Sequence, residues 1–173
     1  MPQPNYKSTL RACCLGYVTP AAVVNLAPLL FVIFQNRYGL SFTMIGSLVL
    51  FNFVVQLSVD AVSIKFVDRI GYRASVMIAH GFSAAGLLLL GILPGIMPAY
   101  AGMLIAVFLY AVGGGLIEVL ISPIVDSLPG DAKASTMSLL HSFYSWGQVV
   151  VVALSTLLLQ LIGHDLWFLL PML

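Results

Sequence analysis

The chain has 173 residues, 61% of them hydrophobic and 8% charged, with a mean hydropathy of +1.07; a water-soluble domain carries about a quarter charged residues, so that class is excluded. Its net charge of +1 comes from seven Lys and Arg scattered along the chain, leaving no basic patch to hold nucleic acid. The only cysteines are the adjacent Cys13 and Cys14, which offer no metal-ligand spacing and no structural disulfide; they read as apolar filler, with lipidation the less favoured alternative.

Lys7 and Arg11 precede an apolar stretch from Ala12 to Phe34. That stretch is too long for a secretory signal and lacks a small-residue cleavage site, so it is expected to remain as a membrane span. A span needs about 20 mostly apolar residues. On that measure the sequence predicts an all-α integral membrane protein with spans near 12–34, 42–66, 74–93, 99–125 and 136–162. The intervening stretches "QNRYGLS", "VDRIGYR", "PGIMP" and "DSLPGDAKAS" carry turn residues or charge and are short, which makes consecutive helices antiparallel. After "GHD", a sixth span begins at Leu166 and stops at Leu173, too short to cross; the sequence is therefore expected to be truncated.

With the N-terminus in the cytoplasm, Lys7, Arg11, Lys65, Arg69, Arg73 and Lys133 fall inside and Arg37 alone falls outside. Such a bias follows the positive-inside rule and predicts insertion in a plasma or inner membrane in that orientation.

Polar residues in the spans recur at helical spacing. In the first, Asn25 lies between Pro20 and Pro28, and Pro28 leaves the carbonyl of Val24 without its usual partner. The second span carries Asn52, Gln56 and Asp60 at steps of four. The third has His80 with Ser83 nearby, read as a packed or hydrogen-bonded histidine. The fourth has Tyr110, Gly114, Glu118, Ser122 and Asp126, again at steps of four, with Asp126 close enough to the loop to be a solvated helix end. The fifth has Ser138, His141, Ser145 and Gln148. Buried ionisable groups cost roughly 2.5–3.5 kcal/mol at the bilayer centre and so usually face a cavity or a partner. Counted from the span ends at about 1.5 Å per residue, Asp60, Glu118 and His141 share the cytoplasmic third of the membrane. The bland alternative for these stripes is interhelical hydrogen bonding. Tyr100 and Trp167 are expected at the membrane interfaces, and His164 in a loop.

No zinc-protease His-Glu-x-x-His, Gly-x-Ser-x-Gly or phosphate-binding Gly loop is present, and neither an enzyme activity nor a cofactor is expected.

The loop Asp68-Arg69-Ile70-Gly71-Tyr72-Arg73 after the second span resembles the signature loop of the major facilitator superfamily. The chain departs from that pattern at Ile64, where the family has Gly, and at Tyr72, where it has a basic residue. The resemblance implies two six-helix halves built of inverted three-helix repeats, with the site between them near the midplane. The chain would then be the N-terminal half, its missing C-terminal half being a partner. It also implies that Asp68 pairs with a helix of that other half, and that Arg69, Gly71 and Arg73 belong to a cytoplasmic gate. "GGGLIE", ending at Glu118, and "SLLHSFYSWG", from Ser138 to Gly147, are similar to fucose permease-like sugar/proton symporters, although Asn25 stands where those carry a first-helix carboxylate.

The expectation is thus a proton-coupled secondary transporter of a small polar solute in a lipid bilayer. Glu118 is its proton-responsive group and His141 that group's partner. Asn25, Asn52, Gln56, Asp60, Tyr110, Ser145 and Gln148 line the solute cavity. The rivals are an exporter of amphipathic compounds, a solute sensor and a truncated remnant.

Overall fold

A computed structural model describes residues 6–130 and 133–173, and every regular element among them is helical. The first apolar stretch is three helices in succession: α1 (Tyr6–Gly16), α2 (Val18–Leu29) and α3 (Phe31–Tyr38). Pro20 sits in the first turn of α2, where backbone N–H groups lack partners in any case. Pro28 removes a bond from its last turn, and the chain breaks at Leu30. The other long helices are unbroken: α4 (Phe42–Ile70), α5 (Tyr72–Ile96), α6 (Ala99–Asp126) and α7 (Lys133–Ile162). Five of their ends run beyond the apolar stretches. Hydropathy marks the thickness of the hydrocarbon, whereas the backbone ladder continues through Lys65 to Arg69 without penalty in water. Five helical stretches, α1 with α2 and each of α4 to α7, are long and apolar enough to cross a membrane.

α6 is the most enclosed span and α7 the least. α5 lies closest against α6, α4 packs on another side of it, and α2 packs on both α6 and α7. Small residues make the α5–α6 approach possible. A Cβ on Gly113 would stand 2.3 Å from Ser83 Oγ and 2.5 Å from the Ala79 carbonyl, and one on Gly86 only 2.4 Å from the Tyr110 nitrogen. The "GGG" run is therefore a helix-packing device, its first glycine turned to α5 and its third to Gln56 on α4.

The final segment, His164–Met172, is a 3-10 helix with Leu166 off helical geometry (φ −96°, ψ 18°) rather than the opening turns of a sixth α-helix. It folds onto α5 and α7. Trp167 is not an interface anchor: it is 1% exposed, its ring meeting Phe34 at 5.2 Å and Tyr38 at 6.3 Å, both edge-on. Arg37 reaches Asp165 at 3.4 Å across the same end of the bundle. Tyr100, half-buried, shares a 2.6 Å hydrogen bond with Ser47 and so ties the start of α6 to α4.

Candidate functional site

The polar stripes do not stay on one face. A helix turns about 100° per residue, so four steps of four rotate a stripe by about 160°. Tyr110 is accordingly buried, Gly114 is packed, Glu118 is exposed, Ser122 is half-buried and Asp126 is exposed at the helix end. Its carbonyl there accepts a bond from Lys133. On α4 the rotation is about 80°, and Asn52 and Gln56 are buried whereas Asp60 is exposed.

Two polar groups result. The first lies where α2, α4, α6 and α7 come together. Glu118 has Asp60 and His141 within electrostatic reach, so the three ionisable side chains occur as one cluster. Tyr17, at the break between α1 and α2, closes it from within: its ring lies 5.7 Å from His141 and 5.5 Å from Tyr144, and its hydroxyl is near Ser122. Tyr144 is near Gln148, one turn on along α7, and also lies in the field of Glu118. Beside the cluster, α7 presents an open recess of about 520 Å³ lined by Ser138, His141, Ser142, Ser145, Trp146 and Val149. Ser142 and Ser145 turn their hydroxyls to the carbonyls of Ser138 and His141, which leaves the hydroxyl oxygens free to accept.

The second group is enclosed. Asn52 and Tyr110 line a cavity of about 100 Å³ between α2, α4 and α6, otherwise walled by apolar side chains such as Val24, Phe31 and Phe34. Asn52 Oδ1 and Gln56 Nε2 are buried without hydrogen-bond partners among the described residues. Asn25 is less available: its Nδ2 donates to Ala21 O at 2.8 Å and so spends one donor on its own helix.

Sequence reasoning missed Tyr17 and Tyr144. Tyr144 stands three residues after His141 and four before Gln148, so helical spacing does signal it. Tyr17 carries no such signal, because its position depends on the break in the first span.

The loop Asp68 to Arg73 is exposed at the opposite end of the bundle from Arg37. Gly71 adopts φ 82°, ψ 153°, a conformation open essentially to glycine alone, and it stops α4 and starts α5 within one residue. Neither Asp68, Arg69 nor Arg73 forms an ion pair among the described residues. The side chain of Ile64, where the family loop has Gly, lies outside the described residues. His80 donates Nδ1–H to Val76 O at 2.9 Å, a local bond of the kind that packs a histidine on its own helix. The two cysteines are buried and free.

Comparison with protein-family models, curated proteins and solved structures finds no match for this chain.

Proposed function

We propose that the chain is one half of a secondary transporter of the major facilitator type, moving a small polar solute across a membrane by alternating access and coupling it to protons. The observation that carries this reading is the Asp60–Glu118–His141 cluster, set beside a polar face of α7 that no other described element covers. Ionisable groups on apolar spans need water or a polar partner opposite them. A second helical half, facing α7 and the exposed edge of α4, would supply the other wall of a wet cavity. Glu118 carries the coupled proton, with His141 and Asp60 as its neighbours. Ser145 and Gln148 offer neutral donors and acceptors to hydroxyls or amides. The Asp68–Arg73 loop acts as a gate at the cytoplasmic end, with the N-terminus on that side, in accord with the six cations gathered there.

The test is solute uptake into proteoliposomes under an imposed proton gradient, by the protein together with its second half. Glu118→Gln is expected to abolish gradient-driven accumulation while leaving passive exchange. Accumulation that survives the substitution removes Glu118 from coupling.

One observation favours a second reading. The cavity at Asn52 and Tyr110 is mostly apolar, which suits an amphipathic compound better than a sugar. Competition between sugars and lipophilic cations for binding separates the two.

A further inference from the structure

A deep groove runs between α1, α5 and α6 at the end of the bundle where the cations gather, on a side of α6 away from the Glu118 cluster. Its volume is about 910 Å³, near the upper end of ligand-pocket sizes. Val76, Met77, Ile121 and Ile124 make its walls apolar, while Arg73, Ser8 and Thr9 also line it. Gly16 lets α1 cross close over α6 and α5 and so closes one end of the groove: a Cβ there would lie 3.3 Å from Ile121 Cδ1 and 3.6 Å from His80 Nε2.

An apolar trench in a membrane-spanning surface fills with hydrocarbon, and the chemistry at its rim selects the headgroup. One cation, Arg73 at the start of α5, lines the groove itself. Lys7 and Arg11 on α1, Lys65 and Arg69 at the end of α4 and Lys133 at the start of α7 stand outside it at the same end of the antiparallel bundle. A guanidinium makes paired hydrogen bonds to phosphate oxygens, and hydroxyls complete such a shell. We infer that this groove holds one anionic phospholipid, its phosphate on Arg73 beside Ser8 and Thr9 and an acyl chain along Met77 and Ile124. The site needs only the membrane setting and stands whether or not the chain transports a solute.

The experiment is native mass spectrometry of the purified chain released from mixed micelles containing phosphatidylglycerol or phosphatidylcholine. One retained phosphatidylglycerol is expected, and little phosphatidylcholine. Arg73→Gln should lower its occupancy by at least about fivefold, the loss of one basic contact at an anionic lipid surface. Ala12→Trp, which plugs the groove from exposed α1 without touching a charge, should do the same. Arg69→Gln, at the same end but outside the groove, should change occupancy by less than about twofold because distant surface charges are screened. Equal retention of the two lipids, an equal effect of Arg69→Gln, or full retention in Ala12→Trp would overturn the site. Should Ala12→Trp fail to fold, Met77→Trp blocks the opposite wall and is read in the same way.

Discussion

Gln56 and Asn52 illustrate how a single buried amide divides stability from function. Each has one polar atom without a partner among the described residues, and an unsatisfied buried group costs about 1–3 kcal/mol relative to an apolar one of the same shape. Gln56→Leu is therefore expected to raise the midpoint of thermal unfolding in detergent, by the equivalent of roughly 1 kcal/mol. If Gln56 serves the transport path, the same variant loses uptake. A variant both less stable and fully active would mean that the amide is bonded through water and has no part in transport. The spacing of Asn52, Gln56 and Asp60 was legible in the sequence. Their division into two buried residues and one exposed was not, because it depends on how far α4 rotates against α6.

Between helices, the decisive quantity is the distance at which backbones meet. Gly113 and Gly115 look alike in "GGG", yet a methyl on Gly113 would meet the backbone of α5 at 2.4 Å, whereas on Gly115 it would meet Gln56 and Val59 at 3.4–3.5 Å. Gly113→Ala must push α5 away and is expected to destabilise by about 3 kcal/mol, at the upper end for overpacking. Gly115→Ala sits at ordinary contact and, as a better helix former, is expected to be neutral or slightly stabilising. Chemical or thermal unfolding of the two variants side by side decides this. Gly71→Ala acts on the backbone alone: holding φ at 82° with a Cβ costs of order 1–3 kcal/mol. It should loosen the α4–α5 junction, seen as faster proteolysis at the Asp68–Arg73 loop. The five helical stretches able to cross a membrane were readable from apolar runs about as long as the bilayer is thick. The break at Tyr17 was not, since Pro20 is compatible with a helix start and with a kink alike. Nor was the 3-10 form of the last segment, which follows from packing Trp167 against Phe34 and Tyr38.

For the molecule as a whole, the distribution of cations and the number of crossings constrain each other. The ends of α4 and α6 carry Arg69 and Asp126, the latter close to Lys133 at the start of α7. Arg37, His164 and Asp165 stand at the far end. If all five stretches cross a membrane, Arg69 and Lys133 must share one side, because α5 and α6 together bring the chain back. Arg37 and His164 must share the other. Single cysteines at these four positions, in a background with Cys13 and Cys14 replaced, are expected to react with an impermeant maleimide in those two pairs. A bundle in which α5 or α6 lies along the surface would instead put Lys133 with Arg37. The side reached in intact cells distinguishes orientation as well: the excess of cations predicts Arg69 and Lys133 in the cytoplasm, and labelling of that pair from outside would invert the proposed gate.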